Sequence, residues 1–373
     1  MLRSFDEYMS SSEEKSIYAV VIIGAGQAGL SLAYFLKNKI TNFLIIEKNS
    51  KIGDNWKKRW DSLTLFSPTQ YSSLPGLNFP KIDAIFPSKD SMAKYLSIYV
   101  QKFSFPISLA ETVISIQKIS GIFYIQTDKR IIKSKHVVIA TGAFQTAYIP
   151  PIYQRELTSI FEIHSSEYKN PNQIPAGPVL VIGIGNSGTQ IALELSKTRK
   201  VFLSGKKPFS VPKSILGRHL FWWYYNFKIA KSSKYSLIGK IMYKWDKTFG
   251  EPLIGNIISK LEQSSDVIFV PRVKKVFQES IEISNGHRIK ISNIIWCTGY
   301  KNNYEFIKLD IFDKNGKPNH IRGVVKQIPN IYFLGLHWLY SLNSSQIGGV
   351  GKDAQFLAKV ILKRLELMER NNK

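Results

Sequence analysis

A chain of 373 residues with 44% hydrophobic side chains can build two domains with apolar cores. Its single cysteine, Cys297, excludes an internal disulfide and a redox-active cysteine pair, and fits a reducing cytoplasm. A formal charge of +24 suits nucleic acid, for which no motif is present, or an anionic membrane surface, or a lysine-rich solvated surface that also attracts anionic ligands; the last is the simplest reading.

Met1 to Ser16 is polar and carries Asp6, Glu7, Glu13 and Glu14, so residues 1–16 read as a loose tail and not as a signal peptide. No apolar run approaches the roughly 18 residues of a membrane-spanning helix. Tyr18 to Ile23 is a short apolar run of the kind that forms a buried parallel strand. Gly24-Ala25-Gly26-Gln27-Ala28-Gly29 follows, then helical spacing through Leu36, then a second apolar run that ends on Glu47 and Lys48. Each part has a physical role. Gly24 permits the tight turn, Gly26 lets a pyrophosphate approach the backbone, and Gly29 lets helix and strand pack closely. The helix start offers free N–H groups to phosphate. Glu47 is placed to accept hydrogen bonds from a ribose diol.

Gly53 to Trp56 comes next, with Trp56 placed either to shield a flat cofactor ring or to cover the sheet edge. Leu63 to Pro80 is a long loop whose path is fixed by prolines, and Ser88 or Asp90 caps a helix through Tyr99. Val113–Gln117 and Ile122–Thr127 alternate as a hairpin. His136 to Ala143 is a buried strand ending in Ala140-Thr141-Gly142, small residues that admit a cofactor. Pro150-Pro151 marks a boundary.

A second unit then repeats the first. Val179 to Ile182 is its strand, Gly183-Ile184-Gly185-Asn186-Ser187-Gly188 its turn, and Lys200 to Leu203 its next strand. No acid ends that strand. Ser204, Lys206 and Lys207 stand there instead, a pattern that favours the 2′-phosphate of NADPH over NADH unless these lysines belong to the general basic surface. Residues 200–247 hold eleven Lys or Arg and one acid, Asp246, interleaved with aromatics. They read as a helical insert with its aromatics inside, as a membrane-facing or partner-facing segment, or as an aromatic substrate channel. Residues 267–277 and 281–291 read as strands around Asn285-Gly286, and Ile294 to Tyr300 repeats the strand-then-Thr-Gly pattern with Thr298 and Gly299. Ile331 to Leu336 is a further buried strand, Ser344 to Gly351 a polar turn, and Asp353 to Leu367 a closing helix.

Two such units, one inserted into the other, together with Gly53 to Trp56, Leu74-Pro75-Gly76, Ala140-Thr141-Gly142, Asn186-Ser187, Cys297-Thr298-Gly299-Tyr300 and Gly348 to Ala354, cover nearly the whole chain. In these residues the sequence resembles the flavin-containing monooxygenases, in the short bacterial CzcO-like branch close to the plant YUCCA enzymes. His164 and Tyr168 fit the second half of the family fingerprint Phe-x-Gly-x-x-x-His-x-x-x-Tyr/Phe, whereas Thr158 and Ile160 stand at its Phe and Gly positions.

The resemblance implies an α/β fold with two Rossmann-like domains, the NADPH domain inserted into the FAD domain. The FAD domain is then residues 17–150 and 290–373, and the NADPH domain residues 151–289, with a basic aromatic insert at 208–250. FAD binding falls on Gly24, Gly26, Gln27, Ala28, Gly29, Glu47, Lys48, Trp56, Gln70, Thr141, Gly142, Thr298, Gly299 and Asp353. NADPH binding falls on Gly183, Gly185, Asn186, Ser187, Gly188, Ser204, Lys206 and Lys207, and Asn186 and Gln70 are candidates for contacts near the reactive ring. The implied activity is oxygenation by a flavin hydroperoxide of a small amine, sulfide, ketone or keto acid, with O2 as co-substrate. Alternatives are an NADPH-dependent flavin oxidoreductase without oxygen insertion and a membrane-associated flavin-based regulator. The cofactor carries the chemistry, so no acid, base or nucleophile is nominated. No metal or nucleic acid is expected, peripheral membrane contact is open, and so is the oligomeric state.

Overall fold

The computed structural model describes residues 16–371, except 82–83, 152–158, 228, 230–231, 251 and the Phe249 side chain. The tail before residue 16 and Thr158 lie outside the described residues. Two parallel sheets organise the rest. In the first, Tyr18–Ile23 lies between Phe43–Ile46 and Ile131–Ile139, and Ile331–Phe333 continues the sheet beyond Ile131–Ile139. The hairpin Val113–Ile119 and Ile122–Thr127 hangs off Ile131–Ile139. Val20, Ile22 and Ile45 pack on one face against the helices Gln27–Leu36, Lys89–Phe103 and Val350–Asn371, while Val21, Ile23 and Ile46 pack on the other with Phe123, Ile307 and Ile311. Burial on both faces is why these strands are continuously apolar. Ser88 caps Lys89–Phe103, its hydroxyl accepting from Ser91 N at 3.1 Å.

The second sheet has five parallel strands in the order Val267–Val270, Val201–Ser204, Val179–Ile182, Asn293–Trp296, Phe161–His164. This corrects the boundary expected at residue 290. Asn293–Trp296 is an inner strand of the second sheet, so the chain returns to the first unit only after it. Its repeat of the strand-then-Thr-Gly pattern marks the counterpart of Ile131–Ile139, not a re-entry. The long strand expected over 267–277 is two strands, Val267–Val270 and Val273–Val276, interrupted at Pro271, which has no N–H for a ladder. Asn285-Gly286 sits between Ser280–Ile283 and Arg288–Lys290, which complete a three-stranded antiparallel sheet with Val273–Val276.

The two passages between units zip together. Thr146–Ala147 pairs antiparallel with Tyr300–Lys301. The insert carries the helices Leu220–Asn226 and Leu237–Phe249. Its aromatic and apolar side chains divide between the inward-packed reading and the outward-facing one. Tyr225 stacks on Tyr71 of the first unit at 4.5 Å and Phe221 is buried beside it, whereas Ile238, Ile241 and Trp245 point outward.

Candidate functional site

The first glycine turn is shaped by contact. Gly24 has φ of +106°, and a Cβ there would strike the Ala140 carbonyl; one on Gly29 would strike the Gly24 carbonyl. Gly26 has nothing within 4 Å of such a Cβ, so the centre of the turn is open. Glu47 is buried at the end of its strand and closes the turn. Its Oε2 accepts from Ala25 N at 2.8 Å, and its Oε1 accepts from Asn49 N at 3.0 Å and Asn49 Nδ2 at 2.6 Å. Lys58 Nζ then donates to Asn49 Oδ1 at 2.6 Å. Asn49 and Lys58 are members of this network that sequence reasoning missed; the only hint was their nearness to Glu47.

The second turn repeats the first. A Cβ on Gly183, at φ of +112°, would strike the Cys297 carbonyl, one on Gly188 would strike the Gly183 carbonyl, and Gly185 is open. Asn186 and Ser187 form the first turn of the helix Asn186–Leu195. The end of the next strand, Val201–Ser204, is finished differently from that of Phe43–Ile46. Ser204 is buried and its hydroxyl donates to Pro271 O at 2.9 Å, so it braces the strand end internally and is not available as expected for a phosphate. Lys207 pairs with Glu262 at 2.6 Å and lies over Phe269. Lys206 is exposed.

Other expected residues separate into open and engaged. Gln27 and Ala28 begin the helix, with Ala28 meeting Gly335 at the end of the Ile331–Phe333 strand. Lys48 is exposed. Trp56 is half-buried on the short helix Asp54–Lys57 and packs against the first core. Gln70 is exposed on the 3-10 turn Thr69–Tyr71. Thr141 Oγ1 and Gly142 O both accept from Gln145 Nε2 at 2.8 Å; no motif flagged Gln145.

Two expectations change. Thr298 donates to Tyr148 O, and Gly299 O accepts from Tyr148 N at 3.0 Å and His164 Nε2 at 3.1 Å, so these residues bind the passage between units. Asp353 is buried and committed to Arg322, 3.4 Å away, which lies between the Tyr340 and Phe356 rings. Burial raises the Asp353 carboxyl above its ordinary range, against the pull of hydrogen bonds from Ser344 and of Arg322. It braces the C-terminal turn from inside.

His164 is buried at this passage. Ser166 N donates to its Nδ1 at 3.1 Å, which leaves Nε2 carrying the proton that bonds Gly299 O. Burial lowers its pKa, partly offset by the Gly299 bond, so the ring is neutral at neutral pH. Tyr300 meets that ring edge-on, and Arg59 bonds the Tyr300 hydroxyl while lying over the Tyr300 and Phe144 rings. Ile160, at the fingerprint glycine position, is buried among Leu180, Val270, Ile294 and Trp296. Burial pushes the Cys297 thiol up to about 12, a protonated group unsuited to redox exchange. Among the described residues no cluster of His, Cys, Asp or Glu could hold a metal ion, and no helix is long and apolar enough to cross a membrane.

Two nested parallel sheets, each with an open glycine turn at its strand-to-helix crossing, have the architecture of two Rossmann-like dinucleotide-binding folds. The family model for pyridine nucleotide-disulphide oxidoreductases matches residues 21–211. An "uncharacterized oxidoreductase CzcO-like" of Geobacillus kaustophilus is 40% identical over 348 residues, 93% of this chain and 99% of that protein. The "probable indole-3-pyruvate monooxygenase YUCCA9" of Arabidopsis thaliana is 27% identical, covering 96% of this chain and 92% of that protein. The flavin-containing monooxygenase structure from Stenotrophomonas maltophilia superposes with a TM-score of 0.78 at 22% identity, over 94% of this chain and 100% of the other. The chain belongs to the pyridine nucleotide-disulphide oxidoreductase family, among the CzcO-like and flavin monooxygenase members, and is a flavin-dependent oxidoreductase.

Proposed function

We propose that the protein is an FAD- and NADPH-dependent monooxygenase acting on a small organic substrate, an amine, sulfide, ketone or keto acid. The observation that carries this reading is the pair of open glycine turns, one closed by buried Glu47 and the other followed by exposed Lys206. Either cradle fits a dinucleotide: a side chain at Gly26 or Gly185 would occupy the space a pyrophosphate needs, and helix N–H groups face it. In the first, Gly24, Gly26, Gly29 and Glu47 would hold FAD, with Thr141 and Gly142 at the edge. In the second, Gly183, Gly185, Asn186, Ser187, Gly188 and Lys206 would hold NADPH.

Bound there, NADPH would supply the reducing equivalents and FAD the chemistry with O2. The chain supplies binding, orientation and exclusion of water. Glu47 orients the first turn through Ala25 N while its charge is matched to a ribose diol. Lys206 adds a cation where an acid would repel a 2′-phosphate. The Thr146–Ala147 and Tyr300–Lys301 ribbon, tied by neutral His164, fixes how the two units approach one another.

The test is cofactor extraction followed by NADPH-dependent oxygen consumption with a panel of amines, sulfides, ketones and keto acids under 18O2. Incorporation of label into one class supports the reading. A second reading, flavin oxidoreductase without oxygen insertion, is favoured by Ile160, because the side chain at this linker position is locked into the second core. Peroxide stoichiometric with NADPH across the whole panel would establish that alternative.

A further inference from the structure

The exposed apolar side chains of this protein are not spread evenly. Among the described residues, nine of the eighteen large ones that are exposed fall between Phe209 and Trp245. The helix Leu237–Phe249 carries the densest group: Leu237 is 78% exposed, Ile238 53%, Ile241 56% and Trp245 52%. Their spacing of three and four residues places them on one crest of the helix. Phe209, itself exposed, meets Trp245 edge-to-face at 5.5 Å and extends the crest sideways.

The opposite side of this helix is the one that packs. Tyr243 meets Trp338 edge-on at 5.3 Å. Asp246 accepts from His337 Nε2 at 2.9 Å and from Trp338 Nε1 at 3.0 Å. The one acid of residues 200–247 is therefore turned inward, and the outer surface is left with cations. Lys240 and Lys244 are exposed along the flank of the apolar crest, and Lys247, also exposed, lies over the Tyr243 ring. A helix of this kind, apolar outward and basic at its side, is inverted relative to an ordinary surface helix.

We propose that this face docks on an anionic phospholipid surface, with the crest entering the interface and the lysines meeting the headgroups. Charge decides against the other occupants. A second copy of the chain would bring the same lysines against these lysines across a two-fold interface. A nucleic acid would answer the lysines but leave Leu237, Ile238 and Ile241 without partners. An anionic bilayer satisfies both sets at once, and Trp245 suits the depth at which indole rings collect.

The experiment uses the full, flavin-loaded chain in vesicle flotation. Vesicles of phosphatidylcholine alone are compared with vesicles containing about 30% phosphatidylglycerol, at low salt and at about 0.5 M NaCl. The expected result is flotation with the anionic vesicles only, weakened at high salt. The double variant I238S/I241S and the charge variant K240E/K244E should each lose at least about tenfold in vesicle affinity. Unchanged flavin content and NADPH oxidation in both variants establish that they are folded. Equal binding to neutral vesicles, no binding to either, or variants that bind as well as the parent would overturn the proposal. So would a parent that ignores vesicles and self-associates in solution through these residues, seen as a drop in mass by light scattering in I238S/I241S.

Discussion

The two dinucleotide units are one device built twice and finished differently. Gly24 and Gly183 press on the carbonyls of Ala140 and Cys297, Gly29 and Gly188 press on the carbonyls of Gly24 and Gly183, and Gly26 and Gly185 stand open. The register is shared as well. Val20 pairs with His136 in the first sheet, and Val179 pairs with Asn293 in the second, so His136 and Asn293 occupy equivalent buried positions. What differs is the finish: buried Glu47 in one unit, buried Ser204 with external lysines in the other. Packing geometry makes the cradle, and a few polar side chains distinguish one cradle from the other.

The largest expected effect comes from filling the tight glycine of each unit. Gly29→Val drives a branched side chain into the Gly24 carbonyl, beside the helix Val350–Asn371 that packs on Gln27–Leu36. A cost of about 3 kcal/mol or more is expected, with loss of flavin-loaded protein. Gly188→Val should leave a yellow protein whose KM for NADPH rises more than about 100-fold. Melting temperature and visible absorbance separate the two; a Gly188→Val protein that also loses flavin would show that the units do not act independently.

Glu47→Ala comes next. It strips the acceptor from three N–H donors around a buried turn, a loss of about 2–3 kcal/mol, so flavin should dissociate roughly 30- to 150-fold more readily. Equilibrium dialysis of FAD measures this directly.

His136 is a smaller and pH-dependent difference. Burial, reinforced by the nearby cations Arg364, Lys118 and Lys135, lowers its pKa from 6.5 to about 3. The unfolded chain therefore holds the extra proton between those values. Stability from this group is fully present above about pH 6.5 and is lost as pH falls toward the folded value, by about 2 kcal/mol at pH 5. His136→Asn copies the second unit and should remove that slope, as urea unfolding at pH 7 and pH 5 would reveal. An unchanged slope would place the acid sensitivity elsewhere, with His320 or His164, whose pKa values burial also lowers.

Lys206→Ala is the mildest. A rise in KM for NADPH of about five- to tenfold, with NADH unaffected, is expected from loss of one exposed phosphate contact worth about 1 kcal/mol. Lys207→Ala should do less, because Lys207 already pairs with Glu262. Equal effects on both coenzymes would remove the 2′-phosphate reading.

Much of this pairing of units was legible in the sequence. Strands buried on both faces must be continuously apolar, and glycines that meet carbonyls cannot be replaced, so both cradles and their nesting could be read directly. Contacts between distant segments were not. The commitment of Asp353 to Arg322, of Ser204 to Pro271 O and of Thr298 to Tyr148 depends on where the chain returns, and no local pattern encodes that. The boundary at residue 290 failed for the same reason: Ile294 to Tyr300 resembles a first-unit strand because it is that strand's counterpart, and only the sheet order assigns it. For the insert, composition left the inward and outward readings open, because it does not say which side of Leu237–Phe249 faces the body.

The zipped passage at Thr146–Ala147 and Tyr300–Lys301 has a consequence for ancestry and engineering. The inserted unit leaves and rejoins its host one strand spacing apart, about 4.8 Å. A host fold can accept such a cassette without stretching its own sheet, and a related coenzyme unit with neighbouring ends can be exchanged for it at that same ribbon. The protein is in this sense a host and a guest whose connecting strands share one seam, and on the proposed reading coenzyme choice would be a property of the guest.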